Sequence, residues 1–378
     1  MNTSSRLYFI DAMRAWAILM MLQGHFIDGL LDPAFRDTSN MAFNVWKYNR
    51  GITAPVFFTV AGFIFMYLLI GNKNTGWANP RVMKGIRRGL MLIGLGYILR
   101  LDFKGFLFNG QLYDNFYKID VLHCIGLSLL FLVGIYLLSS RRKKFVMPAL
   151  LAGSTLLIFC AFPWYKTWDF SFLPRLAANF FTKADGSVFT IFPWFGYASF
   201  GAFLAVLFRM FKEKKKLYPI AITSCLVAGT VLSAIFAYPP YQFELFSRLG
   251  NVLLFFAVFM MLRNILMAPT IISIGQNTLS IYVIHYIILY ASFFGLGLYQ
   301  PFHHSLSPYI AIPGALLFMF IVTWLSFMYN RVKPILREKA AVQKKEIATV
   351  GQQLYRDSTT FFVKVKAKLL NALGALRG

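Results

Sequence analysis

The chain has 378 residues, 58% hydrophobic and 14% charged, with 38 Lys and Arg against 14 Asp and Glu and a formal net charge of +24. Apolar stretches long enough to cross a hydrocarbon core of about 30 Å recur through most of it, which excludes a water-soluble globule and predicts an all-α polytopic membrane protein. Cys124, Cys160 and Cys225 lack metal-ligand spacing, so neither a disulfide framework nor a metal site is expected; the positive excess points to membrane lipids as partners and not to nucleic acid.

The first apolar run, residues 9–31, is the most informative. It holds Asp11, Arg14, His25 and Asp28 at membrane depth, where each charged or titratable group costs several kcal/mol and marks function. The run is too long and too polar for a cleaved signal peptide. Further runs are centred near Phe63, Ile93, Leu129, Ser154, Gly201, Ala228, Phe256, Val283 and Phe318, so about ten transmembrane helices are expected. An even number puts both termini on one side. With that side cytoplasmic, most Lys and Arg lie inside, including the clusters at 141–144 and 212–216, as the positive-inside rule requires. The expected location is a bacterial inner membrane. Residues 1–330 read as the transmembrane domain and 331–378 as a basic cytoplasmic tail. There Phe361, Phe362, Val365, Leu369 and Leu370 interleave with Lys364, Lys366 and Lys368, the pattern of an interfacial amphipathic helix. The outer loops, at 32–50, 102–118 and 164–187, are rich in aromatic residues, which suits an interfacial belt or a polar substrate with apolar ring faces.

At 1.5 Å rise per residue, His25 reaches about 22 Å from the inner edge and His285 about 20 Å, with His123 a turn below the outer mouth of its span. Three of the five histidines therefore share one depth. Asp28 follows His25 by three and Asp120 precedes His123 by three, so each carboxylate can share a face with an imidazole, fix its tautomer and raise its basicity. Such pairs suit a general base; a hydrogen-bonding link between helices is the plainer alternative. His303 and His304 read as solvated loop residues. The inner half is basic instead, with Arg14 about 6 Å into the first span and Arg81, Lys84, Arg87 and Arg88 opening the third. These side chains either snorkel to lipid headgroups or hold a phosphorylated ligand. Asp11 and Arg14, three apart, can neutralise one another.

The motifs resemble those of a known group. The run Ile10-Asp11-Ala12-Met13-Arg14-Ala15-Trp16 leading to His25 is similar to the opening of the transmembrane acyltransferase superfamily. This group contains the heparan-α-glucosaminide N-acetyltransferase family and the acyltransferase-3 family of glycan O-acyltransferases. Ala54-Pro55-Val56-Phe57-Phe58, Lys84-Gly85-Ile86-Arg87-Arg88, Val121-Leu122-His123-Cys124-Ile125-Gly126, Phe192-Pro193-Trp194-Phe195-Gly196-Tyr197 and Gly275-Gln276-Asn277-Thr278-Leu279-Ser280 through His285 follow in the family's order. Ala15 replaces the usual Gly. The resemblance implies an acyl, in the first instance acetyl, transfer from cytoplasmic acetyl-CoA or another acyl-CoA to an amine or hydroxyl of a sugar or glycan outside. It implies an essential histidine at His25; on the residues' own chemistry Asp28 or Asp120 would steady that imidazole, and His123 and His285 are further catalytic candidates. Arg14, Lys84, Arg87 and Arg88 would then hold the donor's phosphates, and Asn277 or Ser280 would donate to the oxyanion. Homodimerisation stays open. The rival is a transporter using the buried Asp, Arg and His as a proton or substrate path, against which stand the missing internal symmetry and the segregation of basic and imidazole groups by depth.

Overall fold

The computed structural model describes residues 6–237, 244–290 and 297–375, with side chains continuous to Gln343. The long helices are α1 (Tyr8–Leu30), α2 (Met41–Leu69), α3 (Pro80–Arg100), α4 (Val121–Ser139), α5 (Val146–Tyr165), α6 (Ile191–Met210), α7 (Leu217–Ala237), α8 (Glu244–Met261), α9 (Pro269–Gln276), α10 (Thr278–Tyr290) and α11 (Pro308–Ala375). Two compact units are present, Met1–Thr323 and Trp324–Gly378. The second is described as helical backbone to Ala375. The side chains of Phe361 to Leu370, on which the amphipathic reading rests, lie outside the described residues.

Among the described residues, seven helices are long and apolar enough to cross a membrane, or eight if α9 and α10, bent by 69° at Asn277, form one span. Helices cover all ten sequence centres, yet α1 and α3 fall outside this group. Their polar residues explain it, with Asp11, Arg14, Gln23, His25 and Asp28 in α1 and five cations in α3.

Helix α1 tolerates this because little of it faces outward. Residues on every side of it are buried, from Phe9 and Ile10 to Leu30, and α2, α8, α9 and α10 pack around it. Its polar groups therefore meet protein partners and not hydrocarbon. Peripheral α7 shows the opposite pattern, exposing Ile220, Val227, Val231 and Ile235 while burying only Cys225 and Gly229.

Close backbone approach fixes the inner packing. A Cβ on Gly201 would lie 1.8 Å from the Thr59 carbonyl oxygen, and one on Gly62 would lie 1.9 Å from that of Ala198, so α2 and α6 cross at glycine on both sides. Small residues of this kind let helices associate where lipid supplies no hydrophobic drive. In α2, Pro55 lacks an N–H and so leaves the Gly51 carbonyl without its helical donor. The guanidinium of Arg248 in α8 approaches that oxygen at 3.5 Å.

Candidate active site

A chamber of about 670 Å³ opens between the carboxyl-terminal part of α1, the first turns of α2 and Trp194 of α6. His25 and Asp28 line it from α1, Trp46 and Arg50 from α2. Asn40 starts α2 by accepting from the N–H groups of Ala42 and Phe43, and Trp46 Nε1 donates to Gln23 Oε1 at 2.7 Å, which ties the two helices at the chamber wall.

The imidazole of His25 is half-buried on this wall. Its Nδ1 lies 3.0 Å from Nε2 of His285, which is fully buried in α10. Among the described residues, no side chain or backbone group bonds the second nitrogen of His25. The pair thus links α1 to α10, and the sequence expectation of a carboxylate beside His25 is corrected: Asp28 is held instead by Nε and Nη2 of Arg50. Arg50, which precedes the apolar part of α2 one turn after Lys47, is a residue the sequence pattern does not single out.

Asp120 also departs from expectation. Its carboxylate accepts from Tyr282 Oη at 2.9 Å and the N–H of Val121, and pairs with Arg100 at 3.4 Å. The contact between Asp120 and His123 runs through the backbone, since Asp120 N–H donates to His123 Nδ1 at 3.1 Å in a box that caps α4. The His123 ring packs on Tyr97, with centroids 4.3 Å apart, and fills the space over Gly96, where a Cβ would come within 2.5 Å of it. The arrangement makes His123 part of the α3–α4 packing. Asp120 reaches the imidazole pair indirectly, because the Tyr282 ring that it holds lies edge-on to His285 at 4.8 Å. His304 is corrected as well. It is not free in solvent: its backbone N–H donates to Gly29 O, its ring Nε2 sits 3.2 Å from Asp28 O, and both contacts cover the end of α1.

Eleven residues before His25, about 16 Å down the helix, lies a second polar layer. Arg14 donates to Thr278 Oγ1 at 3.0 Å and lies 3.9 Å from Asp11, whose closer partner is Arg6 at 3.0 Å. Arg88 lies within electrostatic range of Arg14. Arg88 and Lys84 border an apolar-floored recess of about 240 Å³ with Phe65 and Leu69, and Arg87 is exposed on the same helix. Asn277 is half-buried at the α9–α10 bend and donates to Ser273 Oγ at 3.4 Å. It precedes His285 by eight residues, about 12 Å along α10, which puts it at the Arg14 layer and out of reach of an oxyanion formed beside His25. Ser280, half-buried, sits between the two layers.

One comparison decides what this arrangement belongs to. Residues 6–237 match the family model of the heparan-alpha-glucosaminide N-acetyltransferase catalytic region, well over half of the chain. The chain belongs to this family. It is therefore an integral membrane protein of an acetyltransferase family. No curated protein matches it. The matched stretch includes His25, Arg50, Arg100, Asp120 and Trp194 and ends before α8. His285 and Tyr282 are joined to that stretch by the contacts just described and not by the match.

Proposed function

We propose that this protein moves an acetyl group from acetyl-CoA to the amine or hydroxyl of a sugar held in the His25 chamber. The observation that carries the reading is the His25–His285 hydrogen bond on the wall of that chamber. His25 bears its proton on Nδ1 and donates it to Nε2 of His285, so the lone pair on its Nε2 faces the acceptor. As the acceptor nitrogen or oxygen attacks the thioester carbonyl, His25 Nε2 takes its proton. The carbon–sulfur bond then breaks, and the departing thiolate receives that proton from His25. Passage of the acetyl group through His25 itself would use the same lone pair.

Arg14, Lys84, Arg87 and Arg88 bind the donor's phosphates, with the arm of the donor rising beside Ser280 toward the chamber. The basic layer faces the cytoplasm in this reading, and the chamber faces outward. Asp28 and Arg50 shape the chamber wall; Asp120 and His123 support α10 and α4. A transporter has no observation in its favour beyond the buried charges, and Asp11, Arg14, Arg100 and Asp120 each pair within the protein.

The test uses the purified full chain in detergent with acetyl-CoA and glucosamine, following release of free thiol. His25→Gln is expected to lower turnover by about 10²–10⁴, the usual range for loss of a general base. A folded variant that works at the wild-type rate would remove His25 from the mechanism.

A further inference from the structure

The His25 chamber carries more positive charge than acetyl transfer uses. Among the described residues Arg36, Lys47, Arg50 and Arg248 line it, against one carboxylate, Asp28. That carboxylate is taken by Nε and Nη2 of Arg50. Glu244 holds Nη2 of Arg248 from outside the lining, and even with Glu244 counted two of the four cations stay uncompensated. The stretches 238–243 and 291–296 contain no Asp or Glu in the sequence, so neither supplies a countercharge.

The donors are within reach of a ligand. The side chains of Arg50 and Arg248 are 41% and 35% exposed, and Lys47 is exposed. Arg50 Nη1, Arg248 Nε and the Lys47 ammonium make no hydrogen bond among the described residues, and Arg36 spends only Nη2, on the carbonyls of Asp28 and Leu31. Like charges gathered on one wall repel one another, and an anion placed among them removes that cost. Two uncompensated cations match a dianion better than a carboxylate or a sulfate ester, each of which carries a single charge. A phosphate monoester carries about −1.5 to −2 near pH 7, and its oxygens fit the planar fork of an arginine. The position matters too. Asp28, and with it the Arg50 guanidinium, lies one helical turn past His25, about 4.5 Å along α1, so an anion held there is within one sugar ring of the imidazole.

We propose that the chamber is a phosphate site as well as a sugar site, and that the acceptor is a phosphorylated sugar whose phosphate sits among Arg36, Lys47, Arg50 and Arg248 while a neighbouring amine or hydroxyl meets His25. The acetylated group rests on the acetyl-transfer reading; the phosphate site is a statement about binding. A free sugar phosphate and a sugar carried on a lipid diphosphate share this chemistry.

The experiment begins without a donor. Titration calorimetry on the detergent-solubilised full chain compares glucosamine, glucosamine 1-phosphate, glucosamine 6-phosphate, glucosamine 6-sulfate and glucosamine joined through a diphosphate to a dodecyl chain. At least one phosphorylated form is expected to bind about ten-fold or more tightly than glucosamine, the equivalent of one charge-assisted hydrogen bond. Raising salt is expected to shrink that gain. Lys47 is exposed and makes no side-chain contact that its replacement would break, so Lys47→Ala and Lys47→Glu keep the fold; the gain is expected to fall in both, and further in the second. The same gain in His25→Gln would show that it belongs to the cations and not to the imidazole. Tighter binding of the dodecyl diphosphate than of either free phosphate assigns the lipid-borne source, and the reverse order assigns the free one. Equal binding of glucosamine and every phosphorylated form, a sulfate that binds as tightly as the phosphates, or a gain that survives Lys47→Glu would overturn the proposal. Thiol release from acetyl-CoA is then followed with the same acceptors. Turnover of glucosamine with no gain from phosphate would overturn the phosphate site and leave acetyl transfer standing, whereas Lys47-dependent phosphosugar binding with no thiol release for any acceptor would do the opposite.

Discussion

An imidazole acts as a base only when its lone pair faces the proton it removes, and the partner of its other nitrogen decides that. For His25 the partner is His285 at 3.0 Å. In the proposed tautomer, replacing His285 with Leu leaves Nδ1 of His25 without an acceptor, so kcat is expected to fall by roughly 10–100-fold, less than on loss of His25 itself. His285→Gln, whose carbonyl can still accept, should recover part of that loss. Steady-state kinetics on both variants checks this, and equal damage by Leu and Gln would reduce His285 to a space-filling role. Asp120 and Arg100 make a different kind of contribution. Both are buried, and their pairing compensates two charges that would otherwise be stranded. Asp120→Asn keeps an acceptor for Tyr282 but strands Arg100, and a loss of about 3–5 kcal/mol is expected. Adding Arg100→Gln should restore much of it in a thermal melt. At this scale the sequence exposed the residue types but not their pairing. His25, His285, Asp28 and Asp120 were all legible from their depth in apolar runs. That Asp28 turns to Arg50 and Asp120 to Tyr282 depends on contacts between segments 22 and 162 residues apart, which spacing along one helix does not encode.

Between elements, the α2–α6 crossing is set by backbone contact and not by side-chain fit. A methyl group at Gly201 must push the helices apart by about 1.5 Å to restore ordinary contact with Thr59 O. Gly201→Ala is therefore expected to destabilise by 1–3 kcal/mol or more, the usual cost of overpacking. In α5 a Cβ on Gly153 meets nothing within 4 Å, so Gly153→Ala should be neutral or mildly stabilising. Melting temperatures of the two variants in one detergent test the contrast. The apolar runs made the existence of these helices plain, since continuous hydrophobicity leaves the backbone few other ways to satisfy itself in lipid. They said less about α1 and α3. A helix surrounded by protein can carry charge that a lipid-facing one cannot, so its hydropathy understates its place at the centre of the bundle. The bend between α9 and α10 falls at Asn277, inside a motif that marked the segment without revealing the 69° change of direction.

Across the first unit, two polar layers lie toward the two ends of one helix. Arg14 and Thr278 join α1 to α10 at one level, His25 and His285 at another about 16 Å away, and the two polar layers have different neighbours. The Arg14 layer adjoins the cations of α3, whereas the His25 layer opens on an aromatic chamber. If the donor's phosphates bind at the first and the sugar at the second, kinetic damage must separate in the same way. Arg87→Glu with Arg88→Glu is expected to raise the KM for acetyl-CoA about ten-fold or more while leaving the KM for glucosamine within two-fold. The increase should shrink as salt is raised, since screening weakens exposed charges in wild type and variant alike. Trp46→Ala, at the chamber wall, should do the reverse. Placing the substrates on opposite sides of a sealed bilayer adds a constraint that detergent removes. In proteoliposomes, thiol release should require acetyl-CoA on the face bearing the 141–144 and 212–216 cation clusters and the sugar on the other. Turnover with both substrates confined to the clustered face would mean that the two layers share one entrance, and that α1 does not carry the acetyl group's path across the membrane.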